Sequence, residues 1–175
     1  MNIAIPTVQF NINNIFFQEA IKNTIMSDSN FFRIIYSDAL MMLNGICLEF
    51  TLPIMYIDKS FNKFKCNFDK QLNHTLIQTI CKAEYDIIEK CSEKNINKIP
   101  IYRISEQLRN GVIKVMNLSP TTNSTTSNST TSNSTTNNST TNNVNKKFII
   151  KISGIWSNDF EYGLTYKFSQ CGNGI

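Results

Sequence analysis

No run in the chain approaches the roughly 18 consecutive apolar residues that a membrane-crossing helix needs, so no membrane partner is expected. The opening MNIAIPTVQF has no basic start followed by a long apolar stretch. No secretory leader is read there, and an intracellular location is expected. Catalytic signatures are also missing: there is no G-x-S-x-G, no phosphate-binding P-loop, no G-x-G-x-x-G and no H-E-x-x-H. The single histidine, His74, lies in a predicted helix with no nucleophile beside it. The 13 acidic residues are scattered, with no D-x-D pair. Glu84 falls near the apolar stripe of that helix and reads as a boundary or salt-bridge residue rather than an acid catalyst. The chain is therefore not read as an enzyme, and no cofactor is expected.

C-x-x-C spacing is absent too. The five cysteines, Cys47, Cys66, Cys81, Cys91 and Cys171, are odd in number, which argues against a disulfide framework. His74 lies between Cys66 and Cys81, but the gaps are too wide and irregular for a zinc motif. Free buried thiols and no metal are expected. Charge of one sign is only slightly in excess, at 17 basic against 13 acidic residues. A net +4 permits an anionic partner without requiring one.

What is present is a chain of 175 residues, 41% of them hydrophobic, enough for one domain with a sizeable core. Residues 119–145 read SPTTNSTTSNSTTSNSTTNNSTTNNVN, with no charge and one apolar side chain. Such a segment cannot offset its ordering entropy and is expected to be a disordered loop. Its N-x-S/T sequons read as products of the repeat rather than glycan sites. Residues 1–29 form an N-terminal extension in which IFFQEAIKNTIM allows a short helix. A single domain over residues 30–175, interrupted by the loop, follows.

Within that domain, Phe32, Ile34 and Tyr36 alternate with Arg33 and Ile35, the period of a strand. A second extended stretch, ALMMLNGICLEFTLP, contains Asn44 and Gly45 as a turn or bulge and is ended or interrupted by Pro53. Leu72, Leu76, Ile80, Ile87, Ile88 and Cys91 then recur every three or four residues, which predicts an amphipathic helix of about 20 residues. Further extended stretches are predicted over 101–104 and 112–118, with a closing hairpin over FIIKISGIWSNDFEYGLTYKF. In LTYKF, Leu164, Tyr166 and Phe168 point one way, while Thr165 and Lys167 point the other. Lys167 is placed opposite Lys151 or Lys147. The order predicts a mainly β protein with one helix (α+β). The best fit is an OB-like barrel of five antiparallel strands with a helix between strands 3 and 4.

The closing hairpin interleaves aromatic and basic residues. Trp156, Tyr162 and Tyr166 lie among Lys151 and Lys167, and Arg33, Tyr36, Arg103 and Lys114 are candidates to line the same groove. Single-strand binding uses aromatic faces for bases and cations for phosphates. Each of these aromatics also fits a plain core role. Trp156 in particular reads either as a stacking platform or as the cap of a barrel.

FFRIIYSDALMMLNGICLEF, LIQTICKAEYDIIEK, YRISEQLRNGVIKV and the closing block K-I-S-G-I-W with Y-G-L-T-Y-K-F follow one another in a distinctive order. In that order the chain resembles the phage-type OB-fold single-stranded-DNA-binding proteins of nucleocytoplasmic large DNA viruses. The resemblance covers 30–168 without the Ser/Thr/Asn tract. It implies non-catalytic binding of single-stranded DNA in replication, recombination or repair, at a viral replication site in the host cytoplasm or nucleus. It places Trp156, Tyr162, Tyr166 and Lys167 in or near the DNA groove. Single-stranded DNA is the implied partner, with replication proteins and a homo-oligomer as further candidates. Phage members of the family end in a strongly acidic tail. This chain ends SQCGNGI, without an acid, so partner recruitment through such a tail is not expected. The rival reading is a viral structural or protein-interaction module whose aromatics are core.

Overall fold

Alternating apolar residues write most of this fold as strands. A computed structural model describes residues 3–25, 28–95, 97–116, 118 and 144–171. Three short strands come first, β1 (Ile5–Pro6), β2 (Ile15–Phe17) and β3 (Ile21–Lys22). They are followed by β4 (Asn30–Ser37), β5 (Met42–Asn44), β6 (Ile46–Ser60) and β7 (Lys63–Phe68). Next come helix α1 (His74–Lys90), β8 (Ile99–Ile101), helix α2 (Arg103–Arg109) and β9 (Val112–Val115). The chain closes with the long hairpin of β10 (Val144–Ser157) and β11 (Glu161–Gln170). The segment expected to be a disordered loop lies, over 119–143, outside the described residues.

Five strands close into a ring in the order β6–β7–β9–β11–β10 and back to β6. The long β6 makes the closure possible. Its first part, Ile46 to Ile54, pairs with β10, and its second part, from Ile54 onward, pairs with β7. Irregular register between Ile54 and Tyr56, and between Ile152 and Gly154, bends the two longest strands. The weakest seam lies between the parallel strands β9 and β11, which share the single register pair Phe168–Val115. Inside the ring sit Leu48, Phe50, Leu52, Phe148, Ile150 and Phe168, all buried. Phe50 stacks on Phe148 at 6.0 Å and meets Phe168 edge-on at 6.1 Å. Each such aromatic pair contributes roughly 0.5–1.5 kcal/mol beyond area burial.

The closed five-strand barrel agrees with the expected class, but it is not antiparallel throughout, because β9 and β11 run parallel, and the helices do not follow the expected plan. Among the described residues there are two α-helices, and both lie between the second and third strands of the ring, β7 and β9. The discrepancy comes from β4. Its alternation is that of a barrel strand, yet it pairs with β2, β3, β5 and only the far end of β10, and so stays off the ring. The second helix replaces the extended stretch expected at 101–104, because Glu84 on α1 caps its first turn. The buried Glu84 carboxylate accepts hydrogen bonds from Ile104 N at 2.9 Å, Ser105 N at 2.7 Å and the Ser105 hydroxyl. It is therefore neither a boundary residue nor a salt-bridge partner. Burial pushes its carboxyl up, against the pull of these three donors.

Other local expectations are also revised. IFFQEAIKNTIM forms no helix over its described part; β2 and β3 pair there with β4 instead. Pro53 does not end its strand, because it lies where β10 is the neighbour and pairing to β7 has not begun. Leu72 precedes α1 and is 72% exposed, while Ile77, Ile80, Ala83, Ile87 and Ile88 form the buried face.

Candidate nucleic-acid interface

Pleating turns alternate side chains outward, and register decides which of them meet. On β11 Phe168 points into the core, so Lys167 points out. On β9 Val115 points in and Lys114 points out; on β7 Cys66 points in and Lys65 points out. On β10 Ile150 and Ile152 point in, leaving the half-buried Lys151 on the outer side. Lys151 stands directly opposite Lys167, and Lys65 stands directly opposite Lys114. Four lysines thus form a stripe across β10, β11, β9 and β7, consecutive strands of the ring. At ~4.8 Å per strand the stripe is about 14 Å long.

Like charges directly opposite each other on neighbouring strands destabilise a sheet, by up to ~1 kcal/mol per pair. Among the described residues none of these four lysines makes an ion pair. Two other outward lysines do find an acid. Lys147, on the same face of β10, pairs with Glu49 at 3.0 Å, and Lys82 pairs with Asp86 at 2.6 Å. The one acid in register with the stripe is Asp58, opposite Lys65, and it accepts from Asn67 Nδ2 at 3.2 Å.

Beside the stripe, over the weak β9–β11 seam, lies a groove of about 460 Å³ lined in part by Lys63, Arg103, Gln107, Lys114, Tyr166 and Lys167. Gln107 bridges the seam where ladder pairing fails. Its Oε1 accepts from Lys114 N at 3.0 Å, and its Nε2 donates to the Tyr166 hydroxyl. Tyr166 is half-buried and packs edge-on against Phe168 at 5.6 Å. Burial raises its phenol above the usual value, so it stays neutral at physiological pH. The groove's acid, Glu106, is held by Arg103 at 3.3 Å. A second cleft of about 350 Å³, lined by Phe61, Asn62, Lys63, Lys65 and Lys114, shares Lys63 and Lys114 with the groove. The two clefts are neighbours, both lined by lysines.

Compared with known proteins, the chain matches no family model, no curated protein and no solved structure.

Of the sequence-predicted site residues, Arg103, Lys114, Tyr166 and Lys167 share the groove, and Lys151 extends the stripe. Trp156 is half-buried and sits apart from the groove. It is in register with Phe31 and Gly163, and its ring atoms lie 3.2 and 3.3 Å from where a Cβ on Gly163 would stand. Arg33 lines a separate cleft of about 320 Å³ with Phe31 and Thr165, and its guanidinium reaches Asn44 Oδ1 at 3.4 Å. Tyr36 and Tyr162 are only 3% and 4% exposed. They share the inward phase of Ile34 and Leu164, so their rings offer no face to a ligand. The hydroxyl of Tyr36 accepts instead from Asn14 Nδ2 at 3.1 Å. Lys63, Lys65, Gln107 and Phe61 were not singled out from sequence. For Lys65 the signal was there in the alternation of β7, but its partner Lys114 lies across two helices.

Four of the cysteines are buried and Cys171 is half-buried. Burial pushes the thiols of Cys66 and Cys91 up to about 11, which keeps them protonated and unreactive. Among the described residues no three His, Cys, Asp or Glu side chains are grouped to hold a metal ion.

Proposed function

We propose that the protein is a non-catalytic, sequence-tolerant binder of single-stranded DNA, built on an OB-type barrel and acting in viral DNA replication, recombination or repair. The observation that carries this reading is the two directly opposed lysine pairs, Lys151–Lys167 and Lys65–Lys114, in one outward stripe whose lysines make no ion pair among the described residues. A polyanion laid across the strands removes the repulsion and gains counterion release. The neighbouring groove favours a single strand over a duplex. Half-buried Tyr166 lines that groove, and a partly accessible ring there suits an unstacked base rather than a base inside a duplex. A closed barrel of five strands supports the OB reading. The two helices between those strands depart from the layout that the resemblance implies.

The test is competition. A dye-labelled oligo-dT bound to the protein is challenged with unlabelled single-stranded DNA of mixed sequence, then with the matching duplex. Mixed-sequence single strands should displace the probe about as well as oligo-dT, and duplex much less. Equal displacement by duplex would sink the single-strand reading.

A further inference from the structure

The turn that joins β6 to β7 contains a side chain that the fold does not need. Ser60 and Lys63 are paired, so the connection is a two-residue hairpin loop of Phe61 and Asn62. Phe61 holds φ at 51°. That is the left-handed region, where tight hairpins favour glycine and a bulky residue strains the backbone. The Phe61 side chain gains almost no packing in return, since it is 97% exposed. Its surroundings are not those of a stray apolar residue. Phe61 lines the 350 Å³ cleft with Lys63, Lys65 and Lys114, and the exposed Lys59 precedes it on β6.

An aromatic ring ringed by lysines suits few partners. Lysine is depleted from the cores of protein interfaces. Single-stranded nucleic acid needs both parts, a flat apolar face for a base and cations for the phosphates on either side. We infer that Phe61 is a stacking finger for an unpaired nucleobase, and that a strand lying on the lysine stripe is gripped a second time at this hairpin tip. The inference rests on the single-strand reading and adds a specific base contact outside the groove.

Phe61→Gly separates the ring from the fold, because glycine relieves the strained turn while removing the ring. The expected result is a melting temperature unchanged or raised, with affinity for oligo-dT lowered about 5- to 150-fold, the equivalent of one lost base stack. The slope of log affinity against log salt should not change, since no charge is removed. Phe61→Tyr, which keeps an aromatic face, should retain wild-type affinity, and Phe61→Leu should not. An oligonucleotide of base-free sugar-phosphate units should bind wild type and Phe61→Gly equally. If Phe61→Gly binds oligo-dT as tightly as wild type, the finger is wrong and the single-strand reading stands. If Phe61→Leu matches wild type, the contact is hydrophobic rather than stacking, and the finger is equally wrong. If wild type itself does not bind oligo-dT, both fall.

Discussion

Replacing Lys114 by Gln should make the protein more stable and a poorer DNA binder at once. The side chain of Lys114 is exposed, faces Lys65 across the β7–β9 ladder and makes no ion pair; only its backbone N–H is used, by Gln107. Removing one of two opposed like charges should stabilise the fold by ~0.2–1 kcal/mol. Urea denaturation, with unchanged slope and a raised midpoint, would show it. For binding, each phosphate contact on a single strand contributes about −0.7 to the slope of log affinity against log salt. Four stripe lysines give a slope of about −2.8, a loss of about 50-fold in affinity between 50 and 200 mM salt. With three the slope becomes about −2.1 and the loss about 18-fold. Fluorescence anisotropy of labelled oligo-dT over that salt range reads both values. A destabilised variant would mean that Lys114 has a favourable partner in the fold. An unchanged slope would mean that the DNA does not lie on the stripe. Either result refutes the reasoning.

Glu84→Ala should cost ~2–3 kcal/mol in a urea melt, because it removes the cap of α2 and leaves buried donors unsatisfied; Glu84→Gln, which keeps an acceptor, should cost less. The Glu84 carboxyl sits above its usual 4.5 in the folded chain, so its contribution to stability is fully present below that pH and is lost as pH rises through the folded value. Melts from pH 4 upward should show that decline in the wild type and a flatter profile in Glu84→Gln. Gly154→Ala should destabilise by ~1–3 kcal/mol, since a Cβ there runs into the Phe32 carbonyl oxygen and the Phe31 ring of β4. Against a thiol reagent at pH 8, native protein should expose Cys171 first, with Cys66 and Cys91 reacting only on unfolding.

Where the physics was local, the sequence carried it. The hairpin of β10 and β11 needs only alternation and a short turn, and of the two expected partners of Lys167 it is Lys151, not Lys147, that stands opposite. The helix over His74–Lys90 follows from one apolar stripe. What could not be read locally is what depends on distant partners. The N-terminal turn of α2 forms because a carboxylate 20 residues upstream caps it. The strand β4 has the right alternation but joins the wrong neighbours for the ring. Tyr36 and Tyr162 are platforms by residue type, but near-complete burial beside Ile34 and Leu164 puts them inside. Lys65 and Lys114 become a pair only after two helices fold between their strands.

Oligo-dT affinity against salt, compared between wild type and a variant with Lys65, Lys114, Lys151 and Lys167 all changed to Gln, tests the stripe most directly. A steep slope of about −2.8 in wild type, nearly flat in a variant that folds at least as stably, is the predicted result. A slope shared by both proteins, or a wild type that does not bind the strand at all, would contradict the assignment of this barrel face to single-stranded DNA.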